Sequence, residues 1–137
     1  MNNFESGEKL LKEAEIYLEE MRRAHTQGFW NIAVRKAQEV VELSLKGILK
    51  IIGVEYPKIH DPSGFLMRTL EKKGVPLEDK IRTRVEEVSK ELSEKRAPAF
   101  YFEKEFGMVD ASNAKEGAEF VFNFAKEFQK MVKKNEK

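Results

Sequence analysis

The chain holds 137 residues, with 25 Lys and Arg against 24 Asp and Glu, and its net charge of +1 gives no overall basic field that would mark it for nucleic acid. Hydrophobic residues make up 41% and charged residues 36%, a globular composition long enough for a single domain, 1–137, with a sizeable core. Cysteine is absent, which excludes disulfides, Cys–zinc sites and thiol nucleophiles, and two histidines are too few for a His-rich metal site. No signal-peptide pattern or membrane-length apolar run is seen, so a cytoplasmic protein without a membrane partner is expected.

Along the chain, Phe4, Leu10, Leu11, Ala14, Leu18 and Met21 recur at helical spacing and predict a first helix over 3–26. Gly28 marks the turn. A second helix is predicted over 29–52, ended by Gly53 as C-cap and by Pro57 beyond it. Asp61 followed by Pro62 reads as a carboxylate cap and a proline at the first helical position of a short third helix, which stops at Gly74. The fourth helix is predicted over 77–95, with Ile81, Val85, Val88 and Leu92 as its stripe and Pro98 as its stop. After an aromatic linker, Asp110 or Ser112 caps a last helix carrying Ala114, Ala118, Val121, Phe122, Ala125, Phe128 and Val132. No segment alternates convincingly as a strand, and short connections favour antiparallel neighbours. The fold class is all-α: an up-and-down bundle of about five helices with the second one central.

That second helix poses the sharper question. Its apolar arc is broad, yet Arg35, Glu39, Glu42 and Lys46 share one narrow stripe flanked by Ile32, Leu43 and Leu49. As i,i+4 pairs on a solvated strip they would add only about 0.2–0.5 kcal/mol each. If the apolar flanks are covered by other helices or a second subunit, the charges line a cleft or a dimer seam instead. Spacing alone favours the solvated strip.

The stretch AVRKAQEVVELSLKGILKIIGVEYPKIHDPSGFL resembles the second helix and following loop of the HEPN family. The pattern A-x-R-x-A-x-E-x-x-E-x-x-x-K-x-x-L, then Gly, then His-Asp, falls here on Arg35, Ala37, Glu39, Glu42, Lys46, Leu49, Gly53, His60 and Asp61. The likeness extends in layout over nearly the whole chain, through an Arg near the end of the fourth helix and an Asp-Ala at the last. It implies a HEPN-like bundle that forms a homodimer. It further implies a binder of nucleotide or RNA, often paired in a toxin–antitoxin manner with a minimal nucleotidyltransferase. No EF-hand or Gly-rich phosphate loop is seen, and no cofactor and no metal are expected.

Ribonuclease members of the family carry an Arg with a His four to six residues later. Cleavage through the RNA 2′-OH needs a proton acceptor and a cation on the phosphate, and these two residue types supply them. Here the stretch is RAPAFYFE: Arg96 is present, but Tyr101, Phe102 and Glu103 stand where the His belongs. Tyrosine, with an ordinary pKa near ~10, is a poor base at neutral pH.

The resemblance with this departure implies a non-catalytic or weakly catalytic binding module that recognises a nucleotide, an RNA or a nucleotidyltransferase partner. Its candidate site residues are Arg35, Glu39, Glu42, Lys46, His60, Arg96 and Tyr101, with the cations meeting phosphate and the glutamates positioning them. One alternative is a metal-independent endoribonuclease using Arg96 with a displaced base such as His60. Another is a dimeric scaffold without a ligand.

The run Phe100, Tyr101, Phe102 and Phe106 is suited to stacking on a base, but four aromatics around a proline more often hold a linker onto the core. Core is therefore expected, with Tyr101 kept for its hydroxyl. Trp30 reads as a packing anchor. The basic stretches 80–84 and 133–137 read as solvated faces.

Overall fold

Buried apolar side chains run almost unbroken along the second helix: Ala33, Val34, Ala37, Val40, Leu45, Ile48 and Leu49 are each fully shielded from solvent. A helix apolar on most of its circumference has to be surrounded. In the computed structural model, which describes residues 2–135, it is. Five helices follow one another: α1 (Asn3–Thr26), α2 (Trp30–Ile51), α3 (Ser63–Lys72), α4 (Asp79–Phe100) and α5 (Met108–Asn135). No strand occurs among the described residues. α2 packs on all four others, most extensively on α1, and the short α3 packs against both α2 and α4. Glu136 and Lys137 of the basic terminus lie outside the described residues.

The ends of the helices follow local chemistry. Asn2 caps α1 by accepting a hydrogen bond from the Glu5 amide at 2.8 Å. Gly53 leaves α2 with φ of 78°, the left-handed geometry that favours glycine, and the Val54 amide then returns to the Leu49 carbonyl at 2.9 Å.

Three expected boundaries are corrected. Pro98 does not end α4, which runs on to Phe100. Proline in a last turn forfeits only one internal hydrogen bond. The turn is fixed by other bonds, with the Tyr101 amide donating to the Ala97 carbonyl at 2.9 Å and the Glu103 amide to the Pro98 carbonyl at 3.0 Å. α5 starts at Met108, ahead of both expected caps; Asp110 lies inside its first turn and its carboxylate reaches back to the Gly107 amide at 3.3 Å. Pro62 precedes α3 instead of opening it, and Asp61 accepts from the Ser63 amide at 3.2 Å as a turn-forming side chain.

α1 and α2 run antiparallel, since Gly7 at the start of one meets Gly47 and Ile51 at the end of the other. The approach is close enough to require glycine. A Cβ on Gly7 would lie 2.5 Å from Ile51 Cγ1 and 2.7 Å from the Gly47 carbonyl oxygen. Helix propensity alone predicts that Gly7→Ala stabilises the protein by about 1 kcal/mol. Overpacking a tight crossing costs about 1–3 kcal/mol. The expected outcome is a net loss, read as a lower urea midpoint; a midpoint above wild type would show that the helices do not touch there.

Candidate functional site

The polar stripe of α2 is not a solvated strip. Only 16% of the Glu42 side chain and 10% of the Lys46 side chain are exposed, with α1, α4 and the loop before α3 contributing their neighbours Tyr17, Arg96, Tyr56 and His60. Glu42 is the centre of the arrangement. Its Oε2 accepts from Lys46 Nζ at 2.7 Å, and its Oε1 accepts from Gln38 Nε2 and from His60 Nδ1, each at 2.8 Å. Gln38, 1% exposed, carries the network onward: its Oε1 accepts from Arg96 Nη1 of α4 at 2.8 Å. The same Gln38 amide also donates to the His60 carbonyl at 3.3 Å.

His60 is therefore held from two sides. Next to it, Asp61 Oδ1 accepts from Ser89 Oγ of α4 and from Ser63 Oγ, both at 2.6 Å, latching the loop to the fourth helix. An ionised carboxylate only accepts, so His60 Nδ1 carries the proton toward Glu42 and Nε2 is the ring's other, unspent nitrogen. The imidazole remains 57% exposed.

Burial pushes the Glu42 carboxyl up. The hydrogen bonds from Lys46, Gln38 and His60, and then the Lys46 charge, outweigh that effect and hold it below its ordinary value of 4.5. Arg96 has a different setting. Its partner is an amide oxygen, and among the described residues it forms no ion pair. It borders two hollows. One, of about 410 Å³, is also lined by His60, Ser93, Phe100 and Tyr101. The other, of about 310 Å³, is lined by Glu13, Tyr17, Glu39 and Glu42.

The remaining candidates divide. Tyr101 is 70% exposed on the turn that follows α4, beside Arg96 and His60. Arg35 lies 3.8 Å from Glu39, an ion-pair distance too long for a hydrogen bond, and its guanidinium is 5.1 Å from the Phe100 ring centre. Glu39 is shared with Lys36 at 3.6 Å. Lys46 is buried against the Tyr56 ring and spent on Glu42, so it lines neither hollow. His25 is remote from the cleft: it bonds Ser112 at 2.9 Å and stands edge-on to Trp30. Among the described residues, no cluster of three or more His, Asp or Glu is placed to hold a metal ion, and no helix is long and apolar enough to cross a membrane.

The model of the HEPN domain matches residues 8–135. The chain belongs to the HEPN family. Two solved structures share its architecture. TT1696 from Thermus thermophilus superposes with a TM-score of 0.74 at 20% identity, over 93% of this chain and 99% of that one. ST0689, described as an archaeal HEPN homologue, superposes with a TM-score of 0.68 at 25% identity, over 88% and 95%. No curated protein matches the chain.

Within this HEPN bundle two site residues escape sequence reasoning. Gln38 looks like one polar interruption of an apolar arc; its signal is its place one turn before Glu42. Asn31, 6% exposed, donates to the carbonyls of Ala99 and Lys104 at 3.3 and 2.8 Å and accepts from the Phe106 amide at 2.8 Å. It clamps the turn after α4 to the start of α2, and nothing local in the sequence announces it.

Replacing Glu42 by Gln leaves the Lys46 ammonium buried without a counter-charge. The expected loss is about 3 kcal/mol by chemical denaturation at neutral pH. Because the folded carboxyl titrates below 4.5, its stabilisation is complete above that pH and is lost as pH falls through the lower folded value. The gap between wild type and Glu42→Gln therefore narrows in acid; a gap that widens there contradicts the assigned network.

Proposed function

We propose that this HEPN domain binds RNA or a nucleotide, with Arg96 as its phosphate contact. The observation that carries the reading is the state of Arg96. A guanidinium has five N–H donors in a planar fork, and this one is held by a buried glutamine through one of its nitrogens while no carboxylate neutralises it. It is thus oriented with charge and donors to spare, at the border of two open hollows. Phosphate is the chemistry that such a fork fits. Of the glutamates in the smaller hollow, Glu42 is engaged by three donors and Glu39 by Arg35 and Lys36, while Glu13 has no such partner among the described residues. The larger hollow, with His60 and Tyr101, has no carboxylate in its lining and is the one that suits an anion.

A second reading rests on the Glu42–His60 contact. A carboxylate on Nδ1 sets the tautomer and leaves Nε2 as a base. In the hollow shared with Arg96, Nε2 would take the proton of a ribose 2′-OH. The 2′-oxygen would attack the adjacent phosphorus to form a 2′,3′-cyclic phosphate, the P–O5′ bond would break with the departing 5′-oxygen taking a proton from solvent, and Arg96 would stabilise the added charge. His60 would then serve the role for which the stretch RAPAFYFE has no histidine.

Two further expectations of the family stand as proposals: assembly as a homodimer, tested by sedimentation across micromolar concentrations, and pairing with a minimal nucleotidyltransferase, tested by co-purification.

Incubating labelled single-stranded RNA with the protein in EDTA separates binding from cutting. Binding without cleavage is the expected result, weakening as salt rises because phosphate contacts release counterions. Arg96→Ala should cost about 1.5–3 kcal/mol, the worth of a charge-assisted hydrogen bond. Cleavage that disappears in both Arg96→Ala and His60→Gln would establish the nuclease reading instead.

A further inference from the structure

The last residue of α4 and the turn that follows it carry three consecutive aromatic side chains in water. Phe100, Tyr101 and Phe102 are 55%, 70% and 66% exposed, whereas Phe106 alone is packed inside at 3%. The expectation that the whole run forms core is thereby corrected: the fourth aromatic anchors the linker, and the first three face outward. Exposed aromatic side chains grouped at one place on a surface mark a contact site.

The mount beneath them is rigid. Asn31 spends every polar atom of its amide on this turn, through Ala99, Lys104 and Phe106. The Glu103 amide closes it onto the Pro98 carbonyl at 3.0 Å. Phe102 has φ of 55°, at the position after a helix where glycine is the usual occupant, and it is the only non-glycine with positive φ among the described residues. A bulky aromatic side chain is retained there against the backbone's preference.

A cation meets the first of the aromatics, whereas Phe102 borders a separate hollow with Trp30 and Glu105. The Arg35 guanidinium lies 5.1 Å from the Phe100 ring centre, and the Phe100 and Tyr101 rings meet edge to face at 4.9 Å. Phe100 and Tyr101 also line the hollow that holds Arg96 and His60. Flat apolar faces beside an unneutralised guanidinium match an unpaired nucleobase with its phosphate.

We infer that Phe100 and Tyr101 form a base-stacking platform that makes the Arg96 site selective for single-stranded RNA. This rests on the reading of Arg96 as a phosphate contact. Arg96 holds the backbone, and the turn offers faces on which exposed bases lie. In a duplex those faces are already stacked on one another, so the platform has nothing to take up. Stacking reads no base edge, and the selectivity is for strandedness, not for sequence.

The test uses the full chain with three fluorescent probes: a short oligouridylate, an abasic ribose-phosphate chain of the same length, and a duplex. Wild type should bind the oligouridylate more tightly than either of the others. Tyr101→Ala and Phe100→Ala should weaken oligouridylate binding by about five- to a hundredfold, the usual effect of losing one stacked base, and leave abasic-chain binding unchanged. Tyr101→Phe should bind as wild type does. Phe102→Gly, which alters an exposed aromatic outside the Arg96 hollow, should bind as wild type does; weakened binding equal to that of Tyr101→Ala would show that exposed aromatic surface in general, and not this platform, takes up the RNA.

Equal binding of oligouridylate and abasic chain, with both lost in Arg96→Ala, would overturn the platform and leave the phosphate contact standing. Binding of none of the probes would remove the phosphate reading and the platform with it. If the aromatic variants instead dissociate a dimer in sedimentation and bind RNA as before, the turn is a protein interface and the inference is wrong.

Discussion

A carboxylate enclosed by helices has to be met by donors, and Glu42 is met from three places in the chain. Lys46 reaches it from one turn further along α2, Gln38 from one turn before, and His60 from the loop that leads into α3. Through Gln38 the contact extends to Arg96 on α4. One side chain therefore sets the relative positions of a helix, a loop and a second helix. The loop has no regular structure of its own, and its remaining tie to α4 is the Asp61–Ser89 bond at 2.6 Å. Without Glu42, His60 would have neither an oriented ring nor a fixed tautomer.

By stability alone this is an uneconomical way to fill the space. Moving a carboxylate and an ammonium out of water costs several kcal/mol each, and apolar residues of similar volume often serve a fold as well. The neighbouring positions of α2 show that alternative at work: Val41, Leu45 and Leu49 pack without any polar atom to satisfy. What the ionic stripe supplies and the apolar one does not is direction. Hydrogen bonds between 2.7 and 2.8 Å locate Arg96 and His60 in a way that dispersion contacts do not. The bundle is held by its apolar arc, and the cleft is shaped by its polar stripe.

That division explains what was legible in the sequence. Apolar periodicity is local and repeated, so the five helices and the central place of α2 could be read from spacing. The bounds of α1 and α2 agree to within a residue. Boundaries that depend on tertiary contacts were not legible. Pro98 reads as a stop from its own chemistry, and only the Asn31 clamp and the following turn explain why the helix passes it. The stripe of Arg35, Glu39, Glu42 and Lys46 was visible, but spacing favoured a solvated strip, because what covers a helix is not written within it. Gln38 and Asn31 were invisible for the same reason. A lone amide in an amphipathic helix carries no periodic signal, and the partners of these two on α4 and the turn after it lie 58 to 75 residues away.

The turn after α4 shows how such a bundle separates what the fold requires from what the surface presents. Its path is fixed by backbone carbonyls and amides held by Asn31, and by the closure of Glu103 onto Pro98. None of those bonds involves the side chains of residues 100–102. Those three side chains are mostly in water, so their identity contributes little to the core. At position 102 an aromatic residue is less suited to the backbone than glycine would be. Packing therefore gives no reason for three aromatics in succession, and local conformation gives a reason against one of them. The explanation has to lie in what the turn touches. In this chain the same turn replaces the histidine of the family's Arg–His pair with Tyr101, Phe102 and Glu103. The stretch that departs from the cleavage motif is thus the stretch that presents aromatic faces beside Arg96. Under the proposed reading, that stretch offers a contact surface at the edge of the cleft where the resembled ribonuclease members have a proton acceptor.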